Sequence, residues 1–261
     1  MTFLKALDSA CERNESLVCV GLDVDLAKIS KELLISEDPI FDFNKRIIDS
    51  TSDLVCAYKP NIAFYEMYGI YGMSSLIRTI EYIPDDIPVI LDAKRGDIGH
   101  TAQAYAKSVF EIYKADSTTI NPYLGYDSVK PFIEYRDKGV FILCLTSNAG
   151  YKDFQACDED SLPLYKHVAI HVKEWNIYGN CGLVVGATKP EELKEIRELA
   201  GDMPILIPGV GAQGGDLEHS VKYGVTKKGN RAIINSSRGI IYAEDPAKAA
   251  KQLRDDINRY R

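Results

Sequence analysis

The feature that most constrains the fold is a repeated alternation of short apolar runs with longer amphipathic stretches. Most of the runs are continuously apolar, which is typical of parallel strands that are buried on both faces of a sheet. Each run is followed by a stretch with helical periodicity. The runs occupy residues 17–22, 54–58, 87–91, 117–121, 139–145, 181–185, 204–207 and 231–235.

Eight strand–helix units within 261 residues fit an α/β (β/α)8 barrel, the TIM barrel. An open, doubly wound sheet is the main alternative. No change in composition marks a second domain, so we expect a single barrel domain over residues 1–261 with a leading N-terminal helix. Helices are predicted at residues 2–14, 40–53, 71–82, 100–114, 129–136, 164–176, 189–200, 216–223 and 246–260.

Composition excludes several classes of protein and indicates a cytoplasmic one. The net charge of -7 disfavours non-specific binding to nucleic acid or to an anionic membrane, so neither partner is expected. The N-terminus does not resemble a signal peptide, and no apolar run approaches membrane-spanning length. None of the six cysteines forms a C-x-x-C pair. Cys19, Cys56, Cys144 and Cys181 lie in or beside apolar runs, which indicates small, reduced core residues.

The barrel hypothesis predicts where an active site should lie. In such barrels, functional groups follow directly after the strands, at the C-terminal rim. Polar side chains and turn residues are found at these points in the sequence, whereas the helix ends carry nothing comparable. This distribution favours an enzyme over a scaffold, and the residues are Asp23, Lys59, Asp92, Lys94, Ser147, Pro208, Gln213 and Arg238.

Three charged residues crowd the end of the third predicted strand. Asp92 and Lys94 are two residues apart and should point to the same face, and Asp97 follows on a turn that Gly96 and Gly99 permit. Crowded charges lose solvation unless they pair or take part in chemistry. The segment is therefore a candidate catalytic site, and an ordinary surface run of charges is the alternative.

A glycine-rich segment, residues 208–216, follows the seventh predicted strand and precedes a helix. Such a segment lets backbone N–H groups approach an anion. A dinucleotide site would require an acidic residue after the next strand, but Arg238 is found there. We therefore favour a mononucleotide phosphate held by the loops after strands seven and eight, with Arg238 as a bidentate partner. A glycine loop without a ligand, beside a surface arginine, is the alternative.

His167 and His171 have the spacing of metal ligands on a helix. No third ligand is evident, and helices of a barrel face outward. We therefore expect a surface or interface pair and no metal site.

Taken together, these motifs resemble the orotidine 5′-monophosphate decarboxylase family. Residues 91–99 resemble its D-x-K-x-x-D signature, and the other blocks of the family occur in the right order between Gly21 and Gly239. These blocks are Gly21-Leu22-Asp23, Lys59-Pro60-Asn61, Thr146-Ser147-Asn148, residues 208–215 and Ser237-Arg238-Gly239. The K-P-N-x-A-F-Y and S-N-A-G segments resemble the longer-chain branch of the family.

The resemblance implies a barrel homodimer that converts orotidine 5′-monophosphate to uridine 5′-monophosphate, the final step of de novo pyrimidine nucleotide biosynthesis. It implies no metal and no organic cofactor. Lys94 would protonate the C6 carbanion, flanked by Asp92 and Asp97. The implied catalytic residues are Lys59, Asp92, Lys94 and Asp97.

The resemblance also assigns substrate contacts. Asp23 and Lys59 would hold the ribose hydroxyls, Ser147 would contact the pyrimidine, and Gln213 and Arg238 would hold the phosphate. Asp97 would be donated across the dimer interface. The remaining residues of the implied binding set are Ile98 and Thr101, also from the partner, together with Pro208 and Gly239.

Two other functions remain open at this point. A metal-dependent phosphosugar decarboxylase or aldolase of the same barrel superfamily, such as a keto-gulonate phosphate decarboxylase or a hexulose phosphate synthase, shares the D-x-K-x-x-D motif. A non-catalytic, nucleotide-binding barrel is the other. Metal dependence would indicate the first, and uridine monophosphate binding without turnover the second.

Overall fold

A computed structural model describes residues 1–159, 162–210 and 216–261. Within these ranges, eight parallel strands form one sheet. In chain order the strands are β1 (Val18–Gly21), β2 (Ala57–Lys59), β3 (Ile90–Arg95), β4 (Ser117–Ile120), β5 (Gly139–Leu145), β6 (Cys181–Val185), β7 (Ile205–Pro208) and β8 (Ala232–Ser236).

The sheet closes on itself as a barrel. Neighbouring strands follow the order of the chain from β3 to β8, and β8 then pairs with β1 and β1 with β2. The two end strands meet through parallel bridges from Tyr58 to Val89 and from Asn61 to Asp92. The predicted (β/α)8 barrel is therefore confirmed, and the open doubly wound sheet is excluded.

Helices cover the outside of the barrel, and their amphipathic faces pack on strands that are buried along nearly their whole length. The longer helices are Phe3–Arg13, Pro39–Thr51, Gly69–Tyr82, Gly99–Lys107, Tyr126–Ile133, Leu164–Trp175, Pro190–Ala200, Leu217–Gly224 and Pro246–Asn258. The predicted leading helix is present. Its Phe3 N–H donates to the Asp137 carbonyl at 2.8 Å, and the Phe3 ring packs edge-on against Phe141 inside the barrel.

Several short elements differ from the predictions. Single turns at Leu26–Lys28, Lys31–Leu34, Ala63–Glu66 and Arg238–Ile241 were not predicted because they are too short to show helical periodicity. The helix predicted at residues 100–114 ends as a regular α-helix at Lys107 and continues in wider π-helical geometry over Ser108–Ile112.

Much of the polar segment after β5 has regular secondary structure. A 3₁₀ helix covers Ala149–Asp153, and Asp158–Glu159 pairs antiparallel with Leu162–Pro163. Gln155 anchors this segment to the barrel, because its side chain forms hydrogen bonds with both the backbone N–H and the hydroxyl of Thr146 at the end of β5. Polar side chains in this segment therefore bind the barrel rather than solvent alone.

The cysteines behave as predicted. Cys19, Cys56, Cys144 and Cys181 are buried and carry free thiols. Burial raises the pKa of Cys19 to about 12 and that of Cys181 to about 12, so both thiols are neutral. Among the described residues, no helix is both long enough and apolar enough to cross a membrane.

Candidate active site

A cavity of about 510 Å³ opens where the strands end, at the C-terminal rim of the barrel. All eight strands, or the turns directly after them, supply residues to its wall. The lining includes Asp23, Lys59, Asn61, Asp92, Lys94, Thr119, Leu143, Leu145, Ser147, Val184, Leu206, Pro208, Asn235 and Arg238. The rim position predicted from the sequence is therefore where the cavity lies.

A network of opposite charges occupies one side of this cavity. The Asp92 carboxylate lies between two ammonium groups, with Oδ2 at 3.1 Å from Lys59 Nζ and Oδ1 at 2.6 Å from Lys94 Nζ. The Thr119 hydroxyl also donates to Oδ1, at 2.8 Å. Asp92 and Lys94 therefore converge, as their spacing predicted, and Lys59 reaches the same carboxylate from the neighbouring strand.

Burial and charge oppose each other in this network. Lys59 and Asp92 are only 3% and 8% exposed. Burial raises the Asp92 pKa, but the Lys59 and Lys94 charges lower it more, so the net pKa lies well below its usual value. Burial lowers the Lys59 pKa, but Asp92 and then Asp23 raise it above its usual value. Both groups are therefore charged at neutral pH, and the half-exposed Lys94 side chain is the ammonium accessible from the cavity.

Two buried acceptor oxygens of cavity-lining residues have no hydrogen-bond partner among the described residues. They are Asp23 Oδ1, after β1, and Asn235 Oδ1, on β8. Both side chains line the cavity. A buried acceptor without a partner is unfavourable unless a ligand or water donates to it. The two side chains therefore add unpartnered acceptor oxygens just behind the cavity wall.

The opposite side of the cavity contains the predicted phosphate-binding residues. Pro208 ends β7, and Arg238 begins the single helical turn after β8; both line the cavity, together with Ser237. Gly239 is the second residue of that turn. A Cβ at Gly21 would lie 1.9 Å from Ser237 Oγ, so β1 needs glycine there. Gln213 lies outside the described residues.

Ser147 lines the cavity directly after β5. Its backbone packs closely on the end of β6, where a Cβ at Gly186 would lie 2.8 Å from the Ser147 nitrogen. Glycine at position 186 therefore allows Ser147 to occupy its place in the cavity wall.

Three of the predicted site residues lie away from the cavity of this chain. Asp97 precedes the helix Gly99–Lys107, and its carboxylate accepts from the Ile98 N–H at 2.8 Å. Ile98 is 55% exposed, and Thr101 is exposed in the first turn of the helix. A single chain thus brings together Lys59, Asp92 and Lys94 but not Asp97.

Arg95 also points away from the cavity. Its guanidinium pairs with Glu66 at 2.8 Å and lies over the Tyr105 ring. These contacts give Arg95 a structural role outside the cavity.

Sequence reasoning missed several polar residues of the cavity wall, among them Thr119 and Asn235, which lie on the strands themselves. Both lie within strands whose other residues are almost all buried. For Asn235, a polar residue near the C-terminal end of an apolar run is the signal that could have found it; Thr119 lies in the hydroxyl-rich strand Ser117–Ile120 and has no such signal.

The histidine pair is not part of this cavity. His171 pairs with Glu174 at 3.1 Å and stacks on Trp175. In the part of the chain that the structure describes, no cluster of three or more His, Cys, Asp or Glu residues could hold a metal ion.

A closed (β/α)8 barrel with a Lys–Asp–Lys network at its C-terminal rim defines the class: a barrel enzyme with a charged rim site. The family model for orotidine 5′-phosphate decarboxylase / HUMPS matches residues 16–253, and the chain belongs to this family.

Individual relatives match over the whole chain. It is 50% identical to an orotidine 5′-phosphate decarboxylase of Cupriavidus metallidurans, over 100% of this chain and 99% of that protein. It is 51% identical to the enzyme of the same name from Cellvibrio japonicus, over 99% and 98% of the two chains.

Solved structures agree with this assignment. The OMP decarboxylase of Leishmania donovani superposes with a TM-score of 0.90 at 42% identity, over 100% of this chain and 98% of that one. The UMP synthase of the same organism superposes with a TM-score of 0.93 at 44% identity. The present chain spans only 56% of the length of that protein.

Proposed function

We infer that this protein decarboxylates orotidine 5′-monophosphate to uridine 5′-monophosphate, the final step of de novo pyrimidine nucleotide biosynthesis. The observation that carries the proposal is the Lys59–Asp92–Lys94 network within the rim cavity. Full-length relatives at about half identity that bear the name of this activity support it.

The chemistry explains why such a network is needed. Loss of CO₂ from C6 of the pyrimidine leaves a carbanion that no ring carbonyl delocalises well. The enzyme must therefore stabilise localised negative charge and then supply a proton. The ammonium of Lys94 can do both, first as a nearby positive charge and then as a general acid.

Asp92 has two roles in this proposal. It fixes Lys94 through the 2.6 Å contact, and it stands close to the substrate carboxylate. Leu143, Leu145, Val184 and Leu206 form an apolar part of the cavity wall, so water is partly excluded and these charges interact more strongly than in solvent.

The rest of the cavity binds the remainder of the nucleotide. Asp23 and Lys59 hold ribose hydroxyls, and Ser147 contacts the pyrimidine edge. Arg238 and Gln213 hold the phosphate, with Pro208 and Gly239 beside it. Because the phosphate is remote from C6, its binding energy can drive closure of the site without affecting the chemistry directly.

The proposal includes a homodimer with shared active sites, located in the cytoplasm. Asp97, Ile98 and Thr101 of each protomer would enter the partner's cavity. Their position outside the cavity of their own chain, and the exposure of Ile98, support this arrangement.

An absorbance assay tests the activity. Purified protein mixed with orotidine 5′-monophosphate and a metal chelator should convert the substrate to uridine monophosphate. Lys94→Ala should lose turnover by more than about a thousandfold while it largely keeps affinity for uridine monophosphate, because Lys94 acts in the transition state.

Other outcomes would identify the alternatives. Turnover of a phosphosugar that the chelator abolishes would indicate the metal-dependent branch of the superfamily. Binding of uridine monophosphate without any turnover would indicate a non-catalytic barrel. Full activity of Lys94→Ala would remove this residue from the role of proton donor.

A further inference from the structure

The pairing of β3 with β4 is interrupted at the segment that carries Asp92 and Lys94. Ile90 and Leu91 pair with Ser117 and Thr118, but the next pair joins Arg95 to Ile120. The β3 strand therefore advances four residues while β4 advances two. This mismatch is a β-bulge, a feature that re-aims side chains and is common next to active sites.

We propose that Thr119 is a positioning residue that holds this bulge and thereby sets the geometry of Asp92 and Lys94. Its hydroxyl accepts a hydrogen bond from the Lys94 backbone N–H at 3.0 Å. The same hydroxyl donates to Asp92 Oδ1 at 2.8 Å. One donor and one acceptor function are thus used together, as a threonine hydroxyl permits.

These contacts form a closed ring. The Lys94 backbone bonds Thr119, Thr119 bonds Asp92, and Asp92 bonds the Lys94 ammonium at 2.6 Å. Thr119 is 1% exposed, so its hydroxyl is held by packing as well as by hydrogen bonds. Thr119 therefore restrains the backbone of Lys94 directly, and it restrains the Lys94 ammonium through Asp92.

The backbone of Lys94 needs such a support. Its φ is +48°, in the left-handed region that non-glycine residues rarely adopt. Strained conformations of this kind persist where the surroundings over-determine them. The Thr119 hydroxyl provides one of these restraints, because it replaces a ladder hydrogen bond at the bulge.

The neighbouring Thr118 provides a matched control. It is also fully buried on β4, and its hydroxyl donates to the Leu91 carbonyl at 2.9 Å. It does not line the cavity. Replacing either threonine by valine removes one buried hydroxyl, but only the change at position 119 affects the ring.

The inference rests on the proposed function, and kinetics test it. Thr119→Val should lower kcat by about 10- to 100-fold, in line with the effect of small misplacements of catalytic groups. KM and uridine monophosphate affinity should stay within about threefold, since the substrate contacts remain. Thr119→Ser should recover most of kcat, and Thr118→Val should keep kcat even where it lowers stability.

A crystal structure of Thr119→Val gives a readout that does not depend on activity. The inference expects a shift of the Asp92 carboxylate or of the Lys94 backbone in a folded variant, and unchanged positions of both overturn it.

A kcat within twofold of wild type, or an equal loss in Thr118→Val, also overturns it. Should Thr119→Val not fold, Thr119→Ala removes the same hydroxyl and the same criteria apply. Wild-type protein without turnover overturns the proposed function, and the structure of the variant then decides this inference.

Discussion

Lys59 and Asp92 form the buried ion pair of the site, in which the cost of desolvation opposes the Coulomb attraction. A buried ion pair loses solvation that its Coulomb attraction only partly restores, whereas removal of one partner leaves an uncompensated charge. Here the burial of both groups is nearly complete, and each holds the other in its charged form. The pair therefore serves the site by fixing charge rather than by adding large net stability.

The pH dependence of stability follows from the directions of these two pKa shifts. The lowered Asp92 pKa gives a contribution that is present above its ordinary value and lost only as pH falls through the lowered one. The raised Lys59 pKa gives a contribution that is complete below its ordinary value and lost only as pH rises through the raised one. Between about pH 5 and pH 10 the contribution of the pair is constant.

Asp92→Asn should make the stability of the protein depend on pH within this range. It removes the largest charge that raises the Lys59 pKa, so burial then favours neutral Lys59 in the folded state. We expect a loss of about 3 kcal/mol in the free energy of unfolding at pH 7. This loss should shrink as pH rises toward about 10, because a lysine whose folded pKa is lowered binds fewer protons when folded. Urea unfolding at several pH values measures both effects.

The control for Asp92→Asn is Asp86→Asn, which breaks an exposed ion pair with Arg13. It should cost less than about 1 kcal/mol at every pH in this range. Equal losses in the two variants, or a loss in Asp92→Asn that does not vary with pH, would contradict the argument.

Single residues also show how far the sequence predicts the site. Asp23, Lys59, Asp92, Lys94, Ser147, Pro208 and Arg238 all line the cavity, because each lies at or just after the end of an apolar run that the sequence reveals. Thr119 was missed because its importance depends on a bulge in the neighbouring strand. The pattern of a single strand does not reveal the register of its pairing with another.

Among the elements, β3 brings Asp92 and Lys94 together as predicted, but not through the regular pleat on which the prediction was based. A regular pleat places Asp92 and Lys94 on one face, and the two side chains do meet. They meet, however, through a bulge in which Lys94 has positive φ. Lysine gives no sign of that conformation in the sequence, whereas glycine would have indicated it.

The bulge makes a testable prediction about stability. Glycine adopts positive φ without the steric cost that alanine bears, so Lys94→Gly should be more stable than Lys94→Ala by about 1 kcal/mol. Lys194, exposed within the helix Pro190–Ala200, supplies the matched comparison. There the alanine variant should be the more stable by about 1 kcal/mol. Urea unfolding of the four variants measures these differences in stability. If alanine were the more stable residue at both positions, the left-handed conformation of Lys94 would be contradicted.

For the whole molecule, the barrel could be predicted and its rim only in part. Most barrel strands leave a local signal, a continuous apolar run, and chain order then fixes the neighbours. The turns after β1, β2 and β8 form from contacts between distant segments. The Tyr242 hydroxyl, for example, accepts from the Asp25 N–H across 217 residues of chain. Contacts of this kind have no local pattern, which is why the short helical turns at the rim were missed.

The proposed sharing of Asp97 between protomers can be tested by mixing two inactive variants. In a dimer of one Lys94→Ala chain and one Asp97→Ala chain, both changes fall in the same site if Asp97 enters the partner's cavity, and the second site is intact. Random assortment then restores about a quarter of wild-type activity, because half of the dimers are mixed and each has one working site. Refolding the two variants together and measuring turnover per chain checks the expectation.

The control mixture combines Lys94→Ala with Asp92→Asn. Asp92 and Lys94 lie in the cavity of one chain, 2.6 Å apart, so a mixed dimer of these variants has one change in each site and no intact site. This mixture should not recover activity. If Asp97 instead served its own chain, the first mixture would behave like the control. Recovery in the first mixture alone therefore requires that the partner chain complete the site, since no other arrangement of Asp97 leaves one site of a mixed dimer intact.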